Sequence, residues 1–205
     1  MCFTKELSIA SFFFGIFSSM LLILCGNDKN KNINKVIGLY VMYVSLMQII
    51  DYFIWSDLNC THGLNKLSYY IGPILNHLQP IVLLLICNIY LKSHINKSFI
   101  YTINIVYLVY VIERYYNYIQ TYKCIHTNED HHLDWPWKYN FDYKYYLIIQ
   151  IINAMNYTHS FIWLITFIMG YILLIISRFK FTKNVGELWC FMTPAIPLFV
   201  LGLQL

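Results

Sequence analysis

The sequence predicts an all-α integral membrane protein, a bundle of six transmembrane helices with seven as the alternative. Three observations predict it. The chain has 205 residues, 59% hydrophobic and only 12% charged, about half the charged fraction of an ordinary soluble domain. Its mean hydropathy is positive, at +0.52. Apolar runs of about twenty residues recur between short polar stretches, the pattern of repeated bilayer crossing. Together these exclude a disordered tail, an acidic binder and a nucleic-acid protein, and make the lipid bilayer the first partner.

Reading the apolar runs in order gives one transmembrane domain, 1–205, with spans at 7–25, 36–56, 70–91, 98–119, 156–177 and 186–204. The first run follows Lys5 as a signal peptide would, but it is longer than a signal core and lacks a small-residue cleavage site. The run Asn27-Asp28-Lys29-Asn30-Lys31 closes it like a stop-transfer flank, so it reads as a span. The second carries Ser45, Gln48, Asp51 and Trp55 on one stripe. The third contains Pro73 and Pro80, and Pro80 removes the usual donor to the carbonyl of Asn76. Residues 120–155 read as an outer loop with an interfacial or extended lead-in, 143–155, to the fifth span.

Cations fix the expected orientation. Lys29, Lys31, Lys35, Lys92, Lys97, Arg178, Lys180 and Lys183 fall in the connections after spans one, three and five, against one acid, Asp28. The positive-inside rule puts those connections in the cytoplasm and both chain termini on the extracellular or lumenal side. The loop containing Leu133-Asp134-Trp135-Pro136-Trp137 has two readings. It lies along the interface, where Trp and Tyr gather, or it forms a lid over a cavity.

Ionisable and amide side chains inside spans are the candidate site. Asp51 is the one acid clearly within a span. Gln48, Asn76, His77, Gln79, Arg114 and His159 fall in the same half of the predicted bundle, and Asp51 and Arg114 each lie five residues before a span's outer end. Asp51 therefore reads either as a structural ion pair with Arg114 or as part of a titratable site with His77 and His159. Cys60 and Cys124 fall in the two outer loops and are expected to form a disulfide. Asn59-Cys60-Thr61 is a glycosylation sequon on the same side. Cys124, His126, His131, His132 and Asp134 match no standard metal spacing, so no metal site and no cofactor is predicted.

The segments Ile71-Gly72-Pro73-Ile74-Leu75-Asn76-His77-Leu78-Gln79-Pro80, Leu133-Asp134-Trp135-Pro136-Trp137 and Gly186-Glu187-Leu188-Trp189-Cys190 resemble an uncharacterised multi-pass membrane family of large DNA viruses and some algae. That resemblance implies a membrane protein and carries no activity. The chain's richness in Ile, Asn and Tyr, with three Ala, matches AT-rich coding.

The preferred functional expectation is a small channel or transporter with an outer-half site for a cation, a proton or a small polar solute. A membrane-embedded lipid-modifying enzyme and a non-catalytic viral membrane or assembly protein are the alternatives, and a homo-oligomer is compatible with all three. A wet path through the bundle favours transport, and a dry, paired polar cluster favours the non-catalytic protein.

Overall fold

The computed structural model describes residues 4–92, 96–127, 133–157 and 196–204. Every regular element among them is helical.

Helix α1 (Lys5–Cys25) begins where Thr4 Oγ1 accepts from the Leu7 amide at 3.1 Å, with Glu6 in the first turn favouring the positive helix end. Its buried face is a stripe of small residues, Ser8, Ser11, Gly15, Ser18 and Ser19, ending in Leu22. Phe13, Phe17 and Leu24 face outward, more than half exposed. Small residues let α2 (Lys31–Ser56) approach closely. A Cβ placed on Gly38 of α2 would lie 2.6 Å from Ile23 and 3.0 Å from the Ser19 carbonyl. The two helices run antiparallel, with Lys5 over the Tyr52 ring at 5.2 Å.

The third predicted span is broken. Helices α3 (Leu64–His77) and α4 (Gln79–Tyr90) meet at Leu78 with a bend of 50°. Pro80 sits in the first turn of α4, where its missing N–H is harmless, and its ring prevents α3 from continuing through. Helix α5 (Lys97–Ile119) starts on an Asn96 cap and buries Ile100, Asn104, Tyr107, Val111 and Tyr118. Helix α6 (Tyr143–Tyr157) packs against α4 and α5.

Two stretches, α1 and 28–56, are long and apolar enough to cross a membrane, and the bent α3–α4 pair joins them if counted as one broken span. The predicted span 156–177, apart from residues 156–157, and most of 186–204 lie outside the described residues; 196–202 is helical.

The structure departs from the sequence reading at three points. Helix α3 starts at Leu64, six residues before the predicted edge at 70. Residues 143–155 are helical, not extended. They form a helix whose end, Tyr157, packs with Val36, Cys87 and Ile100 near the lysine-bearing turns. Finally, Thr4 and Gln204 stand at opposite ends of the bundle. Gln204 Oε1 accepts from the Asn27 amide at 3.0 Å, at the far end of α1 from Thr4. The expectation that both termini share one side therefore fails for these described residues.

Candidate functional site

At one end, called here the disulfide end, the turn after α2 is built around Asp57. Its Oδ1 accepts from the amides of Thr61 at 2.8 Å and His62 at 3.0 Å, and its Oδ2 from Asn65 at 3.1 Å. The His62 amide first, then those of Asn65 and Thr61, hold this carboxyl below the ordinary carboxylate range against the opposing effect of burial. Asn65 in turn clamps the loop after α5: its Nδ2 donates to the Ile125 carbonyl at 2.8 Å, and the Ile125 amide donates to its Oδ1 at 2.9 Å. A disulfide joins Cys60 to Cys124, with Cα atoms 6.1 Å apart. Asn59, the sequon residue, is exposed at the tip of this turn.

The described parts of the loop fold down onto the helices. Ile125, Leu133, Trp137 and Phe141 are buried, held partly by the Asp134 amide bonding to the His126 carbonyl at 2.9 Å. Trp137 lies so close to α3 that a Cβ on Gly72 would be 2.5 Å from its ring. Trp135 donates its indole N–H to Asp51 Oδ1 at 3.0 Å. This packing gives Asp51 a partner that charge matching did not find.

Arg114 is not beside Asp51. Asp51 is 1% exposed on the buried face of α2, whereas Arg114 is exposed on α5 over the Tyr110 ring at 5.6 Å. The ion-pair reading is therefore corrected. So is the assumption of one layer. The Ser68 hydroxyl reaches the Ile50 carbonyl at 3.4 Å, which sets Asp51 beside the first turns of α3. Gln79 connects instead to the level of Tyr40, eleven residues before Asp51 on α2, about 16 Å along the axis. Depth was misjudged because α3 begins further out than its apolar run.

The predicted residues thus divide. Gln48 is buried one turn from Asp51 on the same face. His77 is buried lower down, its ring stacked on Phe141 at 4.0 Å. Its carbonyl, at the break between α3 and α4, accepts from the Tyr107 hydroxyl at 2.9 Å, which is how a broken helix is tolerated in an apolar surround. Asn76 is half-buried beside the break. His159 lies outside the described residues.

The sequence reading missed a polar stripe on α6. Tyr146, Gln150, Asn153 and Tyr157 recur at i, i+4, i+7 and i+11 on one face. Each bonds to a neighbouring helix. Tyr146 donates to Gln79 on α4, and Gln150 to Tyr40 on α2, whose hydroxyl also meets Tyr146. Asn153 donates to the Pro80 carbonyl at 2.9 Å and exchanges two 2.8 Å bonds with Asn104 of α5. Tyr157 donates to Asn88. The spacing was visible in the sequence, but tyrosine was discounted as a product of base composition and the segment was not read as a helix.

No three His, Cys, Asp or Glu side chains gather into a metal-binding group among the described residues. Comparison with protein families, with curated proteins and with solved structures finds no match to this chain. The viral resemblance therefore rests on its three quoted segments alone.

Proposed function

We propose that the protein is a multi-pass membrane transport protein, a small channel or transporter, in which a proton, a cation or a small polar solute moves along the polar face of α6. The observation that carries this is the column of side chains from Tyr146 to Tyr157, about 16 Å long, running from the helix break toward the lysine end. Buried polar groups on consecutive turns are uncommon in a bilayer interior and mark pathways there. The break between α3 and α4 lies against the column, where discontinuous helices often form sites. Asp51, under Trp135, lies about 16 Å beyond the upper end of the column along α2.

The chain crosses the membrane an odd number of times in this reading, since Thr4 and Gln204 are at opposite ends; the seven-helix alternative meets that requirement. Lys29, Lys31, Lys35, Lys92 and Lys97 support a cytoplasmic location for their end. The Cys60–Cys124 bridge supports an oxidising compartment for the other. Removal of a glycan by endoglycosidase from the parent, but not from Asn59→Gln, is the result this sidedness requires.

One observation favours a second reading, a non-catalytic membrane or assembly protein: every member of the column is bonded to a neighbouring helix. Such bonds also do nothing more than latch α6. Reconstitution into liposomes with pH and ion-selective readouts separates the two. Transport requires flux in the parent that Gln150→Leu abolishes while the protein remains folded. No flux under any gradient leaves the latch.

A further inference from the structure

We infer that α5 is the contact face of a homodimer in which Glu113 and Arg114 pair across a twofold axis; this rests on the reading of α5 as a membrane span. From Ser98 to Ile112 the helix is free of charge over fifteen residues, about 22 Å of rise. The hydrocarbon layer is about 30 Å thick. A spanning α5 that enters at Lys97 therefore carries Glu113 and Arg114 inside that layer, where ionisable groups face protein or pair with one another. Both are exposed on the surface of the single chain. Among the described residues Glu113 has no ion-pair partner, and Arg114 meets only the Tyr110 ring.

The surface around them has the pattern of a helix–helix seam. Thr102, Val106, Val109, Glu113 and Tyr116 recur at i, i+4, i+7, i+11 and i+14. All five are exposed; Val106, Val109 and Tyr116 are 65%, 61% and 64% accessible. The seam lies away from the buried face of Ile100, Asn104, Tyr107, Val111 and Tyr118 that α5 turns to its own bundle. Arg114 flanks it. A second copy fits because the charge pattern is self-complementary: one acid and one adjacent base, rotated by a twofold axis, give two acid–base pairs and no leftover charge. Lipid offers the apolar part of that seam a solvent but gives Glu113 no counter-charge.

The test uses Val109→Cys and, as a lipid-facing control on α1, Phe17→Cys, each with Cys2, Cys25, Cys87 and Cys190 replaced and the Cys60–Cys124 bridge kept. Oxidant is added to membranes, and dimer is read on non-reducing gels. In parallel, the parent, Glu113→Arg and the exchange Glu113→Arg with Arg114→Glu are weighed by native mass spectrometry. The dimer requires cross-linking at 109 and not at 17, a dimer fraction lower by about tenfold in Glu113→Arg, and its recovery in the exchange. Labelling of position 109 in intact vesicles by a membrane-impermeant thiol reagent overturns the span and the dimer together. An unlabelled position 109 in a protein that stays monomeric overturns the dimer and leaves the span standing. Equal cross-linking at 109 and 17 also overturns it, since that is random collision.

Discussion

The two ends of the bundle are closed by different means. At the disulfide end, Asp57 and Asn65 bond almost wholly to backbone amides and carbonyls, a covalent bridge ties the two turns together, and Trp137 is packed against the Gly72 backbone. At the lysine end, the described closure is a trio of amides: Gln204 with the Asn27 backbone and the Asn34 side chain, at 2.8 to 3.2 Å. Backbone partners cannot swing away without unfolding a turn, whereas side-chain amides exchange for water at small cost. The comparison teaches where a path along α6 would open: at the lysine end, with the disulfide end serving as a fixed stop.

Removing the bridge should have the largest effect. Cys124→Ser opens a loop of 64 residues' separation, worth about 4 kcal/mol in the chain-entropy account. Thermal unfolding of the detergent-solubilised protein should fall by a matching amount in the variant and in the parent under dithiothreitol; an unchanged midpoint would show that the cap is held by its hydrogen bonds alone. Next comes Gly72→Ala, whose Cβ meets the Trp137 ring at 2.5 Å. Overpacking there costs about 1 to 3 kcal/mol and shifts the tryptophan emission as Trp137 is displaced.

Acid should loosen the same end. The Asp57 carboxyl is held below its unfolded value by backbone amides, so its contribution is present above the unfolded pKa and is lost as pH falls through the folded one. Unfolding midpoints compared at about pH 6 and about pH 3 should drop less in Asp57→Asn than in the parent. The smallest change is expected at the other end. Gln204→Ala removes its bonds to the Asn27 amide and to the buried Asn34, whose Nδ2 keeps its bond to the Asn27 carbonyl, a loss of about 0.5 to 1.5 kcal/mol. A loss as large as that of Cys124→Ser would break the comparison.

The sequence made α1 and α2 legible because each is a long apolar run, and it placed α5 because the apolar run 98–119 follows Lys97. Cys60 and Cys124 could be matched because both fell in loops on one side of the predicted topology. Three things escaped it. The N-terminal turns of α3 hold Asn65, Lys66 and Ser68, so hydropathy set the edge too deep and merged Asp51 with His77. Helix α6 buries Asn153, Asn156 and Tyr157 beside Ile149 and Ala154, and the sequence reading takes 143–155 as a lead-in to a span rather than as a helix of its own. Asp51 was matched to the nearest cation, although its partner is an indole N–H brought in from 84 residues away.

The most direct test of the central claim is the accessibility of the α6 column itself. Gln150→Cys, in a chain whose only other cysteines are the bridged Cys60 and Cys124, is treated with a membrane-impermeant thiol reagent in sealed vesicles of each orientation. The account predicts labelling when the lysine end faces the reagent and none when the disulfide end does. Labelling from the disulfide end, or from neither, would contradict it.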